Sequence, residues 1–114
     1  MNKDKILRKS EDFSNIISTG NKYKNKYFSL YYKENNSTLY GITVPKKVGI
    51  AVIRNKLKRQ LKNIISNNEK YIQSNHNYVI IIKEPALNLD YEGLTNNLLD
   101  LMKKVGTKWK KEKY

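Results

Sequence analysis

The 114-residue chain fits one domain, 1–114, with no room for a second, and its hydrophobic fraction of 39% suffices for one modest core. Lys plus Arg number 23 against 10 Asp plus Glu, a formal net charge of +13, which implies a polyanionic partner, nucleic acid first and an anionic membrane surface second. The chain has no cysteine, which excludes disulfides, thiolate metal sites and cysteine nucleophiles, and no segment approaches the roughly 18 apolar residues of a bilayer span.

Met1 to Lys5 lead into no apolar run of signal-peptide length, so a cytoplasmic protein is expected. Ser10-Glu11-Asp12 reads as a helix start, a serine cap with acids in the first turn. Phe13, Ile16 and Ile17 follow at helical spacing and Gly20 supplies a stop, while Ile6 or Leu7 can staple this short helix to the core. Residues 26–33 read as an aromatic-rich strand. Its alternation sets Phe28, Leu30 and Tyr32 on one face and Tyr27, Ser29 and Tyr31 on the other. Glu34 to Ser37 form a turn and residues 39–44 a second strand, so an antiparallel hairpin is predicted.

Pro45 ends that strand, and residues 46–52 form a basic loop in which Gly49 permits a sharp bend. Ile53, Leu57, Leu61, Ile64 and Ile65 form a helical stripe reaching about residue 68, with a further helical turn at residues 69–72. The unbroken apolar run at residues 78–82 predicts a central strand, closed by Pro85. A last helix opens near Leu89-Asp90, carries Leu94, Leu98, Leu101 and Val105 in its stripe, and stops at Gly106. A frayed basic tail is expected over about 107–114. This order of elements predicts an α+β sandwich in which helices cover one small sheet.

Protein-borne catalysis is hard to build from these residues. His76 is the only histidine and sits in a polar turn, residues 74–77, and the acids are scattered over caps and turns, so no catalytic residue and no metal ligand is expected. The informative segment is 46–62. Lys46, Lys47, Arg54, Lys56, Lys58, Arg59 and Lys62 place seven cations in seventeen residues without an acid, where a merely solvated helix would mix signs. At about 100° per residue, Arg54 and Lys58 border the apolar stripe, whereas Asn55, Lys56, Arg59 and Lys62 lie on the outer face. Phe13, Tyr27, Tyr31 and Tyr40 offer rings on which bases can stack beside those cations, although some of these rings, Phe13 above all, can instead be core.

Leu7-Arg8-Lys9-Ser10-Glu11-Asp12-Phe13 and the stretch from Lys46-Lys47-Val48-Gly49 through Arg54-Asn55-Lys56-Leu57-Lys58-Arg59 resemble the bacterial ribonuclease P protein component. The likeness runs from Leu7 to about Val105 and includes the Lys-Glu-Pro-Ala ending of residues 83–86. It implies a mainly antiparallel sheet with a left-handed βαβ crossover, an exception to the usual right-handed rule. It also implies a ribonucleoprotein endonuclease that matures the 5′ end of tRNA, with Mg²⁺ and the chemistry belonging to the RNA and one protein per RNA. By resemblance, Arg8, Lys9, Lys46, Lys47, Asn55, Lys56, Arg59 and Lys62 face the catalytic RNA. Phe13, Ile17, Ser29, Tyr31, Arg54 and Lys58 would line a cleft, between the basic helix and the sheet, for the 5′ leader of precursor tRNA.

Four positions depart from the family pattern: Lys56 for a usual Arg, Ile17 for a frequent Phe, Pro45 for Ser and Ile50 for Asn. Lysine keeps the charge at 56 but loses the bidentate fork. The alternative is a ribosomal or other structured-RNA-binding protein, which would bind RNA without preferring a leader. A protein-only nuclease lacks a supporting residue set, and a membrane-surface helix would need an exposed apolar face that this stripe spends on the core.

Overall fold

The structure, a computed structural model, describes residues 5–7 and 10–113. Its elements are α1 (Ser10–Thr19), β1 (Asn21–Lys24), β2 (Phe28–Glu34), β3 (Leu39–Thr43), α2 (Ala51–Asn67), β4 (His76–Ile82) and α3 (Tyr91–Lys113). Short 3₁₀ turns occupy Lys46–Val48, Glu69–Tyr71 and Glu84–Asn88. The four strands make one sheet in the order β1-β2-β4-β3, antiparallel except where β3 runs parallel to β4. Because β3 and β4 are parallel neighbours with α2 between them in sequence, the chain contains the expected βαβ unit.

The predicted hairpin does not form. β2 and β3 run in opposite directions, as a short connection requires, but β4 lies between them. The reason is burial: Tyr78, Ile80 and Ile82 on one face of β4 and Val79 on the other are wholly inaccessible, which needs a neighbour on each side. Crossing one intervening strand means spanning about 10 Å, and four extended residues reach about 13 Å. The connection is tied to β4 as it passes: Asn35 N–H donates to the Asn75 carbonyl at 2.9 Å and Asn35 Nδ2 to Asn77 Oδ1 at 2.9 Å.

Two cores result, one on each face. The larger joins Phe28, Leu30, Tyr32, Tyr78, Ile80 and Ile82 of the sheet to Leu57, Leu61, Ile64 and Ile65 of α2 and Leu94, Leu98, Leu101 and Met102 of α3. The smaller joins Leu7, Ile16 and Val79, with Phe13, Tyr31, Leu39 and Ile81 packed against them, so α1 covers the opposite face. Leu7 provides the staple; its N–H also donates to the Tyr40 carbonyl at 2.8 Å. Truncating a fully buried member such as Leu61 to Ala costs about 2–5 kcal/mol.

Sequence periodicity missed β1, whose only core contact is Tyr23, stacked on Tyr32 at 5.5 Å between ring centroids. Three further expectations are corrected. α2 begins at Ala51, and Ile53 is 39% exposed, so the buried stripe starts at Leu57. Gly49 makes no sharp bend; its backbone is extended. The last helix does not stop at Gly106 but continues to Lys113, because a helix already anchored by Leu98, Leu101, Met102 and Val105 extends more easily than it nucleates.

Candidate nucleic-acid interface

The acid-free segment 46–62 is held from beneath. Val44 and Val48 insert into the larger core, and the 3₁₀ turn between Pro45 and Gly49 leaves Lys46 and Lys47 fully outward. α2 then starts with Ile50 as its cap residue, with no side-chain cap and no acid in the first turn, so its first amides and the surrounding cations share one positive field. Along α2, Asn55, Lys56 and Arg59 are exposed while Arg54, Lys58 and Lys62 are half-buried. Arg54 Nε donates to the Gly49 carbonyl at 3.1 Å, which orients the guanidinium and leaves its other N–H groups for a ligand. No ion pair among the described residues draws on any of the seven cations of this segment. Beside them Ile50, 69% exposed, and Val52, 73% exposed, put aliphatic surface among the charges.

A second surface lies on the α1 face of the sheet. Register places Lys22, Tyr31, Val79 and Gly41 in one row across the four strands, and Lys24, Ser29, Ile81 and Thr43 in the next. α1 covers the first row: Ile16 packs with Val79, and the Phe13 ring lies over Gly41. The second row is the edge of an open strip. Lys22 Nζ stands 5.1 Å from the Tyr31 ring centroid, and Lys33 Nζ donates to Asn15 Oδ1 and Thr19 Oγ1 of α1 at 3.1 and 3.0 Å. Ile17 is exposed on α1, and Ser29 is the buried polar residue of this face. The strip thus carries rings and apolar groups at its centre, with lysines at its β1 end. Beyond Thr43 the chain passes directly into the basic loop.

Phe13, Ser29 and Tyr31 are therefore brought together, with Ile17 on the helix above. Arg54 and Lys58 stand on a helix of the other layer. Since Leu57, Leu61, Ile64 and Ile65 pack between α2 and the sheet, that space is core rather than cleft, and the two groups lie on opposite layers of the sheet. Tyr40 and Tyr27 leave the proposed stacking surface. Tyr40 is buried in the larger core, stacked on Tyr78 at 5.6 Å, and burial pushes its hydroxyl up to about 12; Tyr27 packs against the same core. Arg8 and Lys9 lie outside the described residues. Lys22, Lys24 and Lys33 were not singled out from sequence. For Lys22 and Lys24 the signal was the Asn-Lys-Tyr-Lys alternation, legible only once those residues are known to be a strand, whereas Lys33 ends the predicted strand 26–33 and shares the face of Tyr31 by the same alternation. His76 is not in a turn; it opens β4, its Nδ1 hydrogen-bonded to the Ser74 carbonyl at 2.8 Å. Among the described residues no group of three His, Asp or Glu comes together to hold a metal, and no helix is long and apolar enough to cross a membrane.

Residues 1–106 match the family model described as Ribonuclease P. The chain belongs to the ribonuclease P protein family. It is 35% identical over 108 residues to the ribonuclease P protein component of Mycoplasma mycoides, covering 92% of this chain and 99% of that one. To that of Bacillus cereus it is 31% identical over 111 residues, 95% and 96% of the two chains. The fold is similar to the RNase P protein of Thermotoga maritima, with a TM-score of 0.81 and 31% identity over 86% of this chain and 94% of that one. It is equally similar to the RNase P protein of Staphylococcus aureus, at a TM-score of 0.82 and 28% identity over 89% and 94%. As a ribonuclease P protein component, the chain is part of a tRNA-processing ribonucleoprotein and has the ribonuclease P RNA as its partner.

Proposed function

We propose that this chain assembles with the ribonuclease P RNA through residues 46–62 and holds the 5′ leader of precursor tRNA along the strip beside α1, promoting cleavage at the mature 5′ end. The observation that carries the reading is the strip itself: Phe13 and Tyr31 on a rigid sheet-and-helix frame, with Lys22 and Lys24 at one end and the basic loop after Thr43 at the other. A single strand asks for this combination, rings for base stacking and cations for phosphates, without base-edge readout. Arg54 and Lys58 would meet the leader where it passes the β3 edge, while Lys46, Lys47, Asn55, Lys56, Arg59 and Lys62 meet the catalytic RNA.

Among the described residues the acids are dispersed and form no cage for Mg²⁺. We assign the Mg²⁺ and the activated water to RNA phosphates, with one protein per RNA. The protein's part is to raise affinity for precursor over mature product, since only the precursor has a leader to place on the strip. Reconstitution with a catalytic ribonuclease P RNA tests this. Tyr31→Ala, and separately Arg54→Ala with Lys58→Ala, should weaken precursor binding by about 5- to 10-fold or more and leave mature tRNA unchanged. Equal weakening of both RNAs would overturn the assignment.

A further inference from the structure

We infer that Lys70, Tyr71, Lys103 and Lys104 form a second RNA contact, which takes a single-stranded segment by stacking a base on Tyr71 and holding the flanking phosphates. Tyr71 closes the 3₁₀ turn Glu69–Tyr71 and is 48% exposed. Lys70 Nζ and Lys103 Nζ lie 5.0 and 4.9 Å from its ring centroid. On the other flank of α3, Lys104 Nζ is 6.0 Å from the Tyr23 ring. The turn that presents Tyr71 is fixed rather than loose. Its backbone closes Tyr71 N–H to the Asn68 carbonyl and Ile72 N–H to the Glu69 carbonyl, both at 3.0 Å, and Ile72 is anchored in the larger core.

Glu69 and Asp100 do little to neutralise Lys70 and Lys104. Both Glu69 oxygens are engaged by Lys5, at 2.9 and 3.0 Å, and Asp100 meets Lys104 only at 4.0 Å with both side chains well exposed, a pairing of little strength. The helix carrying Lys103 and Lys104 runs on to Lys113, through a sequence with four more lysines.

The surface is separate from the other two. α3 packs on the face of the sheet opposite α1, and Tyr71 follows the C-terminal end of α2, about 12 Å or more of helix beyond Arg59. The inference therefore stands or falls independently of the leader assignment. The ring distinguishes the ligand. An acidic peptide would use the ammonium groups and leave Tyr71 idle, whereas a nucleic-acid strand draws the lysines from the ring to its phosphates and fills the vacated face with a base.

The test uses the full chain carrying Arg54→Ala, Lys58→Ala and Tyr31→Ala, which disables the first strand site, and a fluorescein-labelled oligouridylate ten nucleotides long at moderate salt. Residual binding is expected. Adding Tyr71→Leu should weaken it by about 5-fold or more, while Tyr71→Phe should not, since the stacking face is kept. Lys70→Gln with Lys103→Gln, both on exposed positions, should lower the slope of log affinity against log salt by about one to two. Absence of residual binding, equal affinity of the Leu and Phe variants, an unchanged salt slope, or displacement by polyglutamate as effective as by unlabelled oligouridylate would each overturn the proposal.

Discussion

An alanine methyl at Gly41 would sit 2.5 Å from Phe13 Cζ and 2.7 Å from its Cε1, closer than carbon atoms approach. The glycine is there for the ring, not for its own backbone, because no described glycine has positive φ. Gly41→Ala should therefore lower stability by about 1–3 kcal/mol, read as a fall in the denaturant midpoint. Phe13→Leu in the same chain should return part of that loss, because the clash is with the ring's far edge. If the double variant were no more stable than the sum of the single changes predicts, the close approach would not be the cause. This coupling was invisible in the sequence: Phe13 was legible as helical and apolar, but a strand glycine twenty-eight residues later gives no hint of what lies over it. The division of the basic helix was legible in part: period separates Arg54 and Lys58 from Asn55, Lys56 and Arg59 and burial follows it there, but Lys62, assigned to the outer face, is half-buried beside Leu61. Ile53 was misread for the opposite reason. Period placed it in the stripe, yet the core ends one turn short of it, and hydropathy does not mark where a core stops.

At the scale of elements, what could be read was what packs most. β4 was recognised as central from its unbroken apolar run, and α2 and α3 from stripes that the larger core uses almost entire. β1 could not be, since an edge strand guarded by Lys22 and Lys24 buries almost nothing and shows no apolar alternation. The missed strand carries Lys22 and Lys24 of the α1 face, so the gap in the fold became a gap in the candidate site. The pairing of β2 and β3 failed because turn chemistry fixes direction and not adjacency. α2 itself yields a prediction. Lys56 and Arg59 are exposed and make no described hydrogen bond or ion pair, so Lys56→Ala with Arg59→Ala should leave the thermal midpoint nearly unchanged. The same double variant should weaken assembly with the catalytic RNA by about tenfold or more at moderate salt. Normal assembly there would move the RNA interface off this face of the helix.

For the whole molecule, the +13 net charge sets two opposing responses to salt. In the free protein, like charges are crowded onto a small body and the basic segment has no ion pair to relieve them, so screening should stabilise the fold. In the complex those same cations displace counterions from RNA, and screening should weaken it. With on the order of six to ten phosphate contacts, affinity for the catalytic RNA would fall by about 10³- to 10⁵-fold between 50 and 200 mM monovalent salt. Leader binding, with about two to four contacts and a share of its energy in stacking on Phe13 and Tyr31, should fall far less. Measuring the thermal midpoint, the affinity for catalytic RNA and the affinity for a leader oligonucleotide across one salt series separates the three. A rising midpoint, a steep decline and a shallow decline are expected in that order. Parallel declines for both RNAs would mean that the strip binds by charge alone, and that its rings serve the core and not the leader.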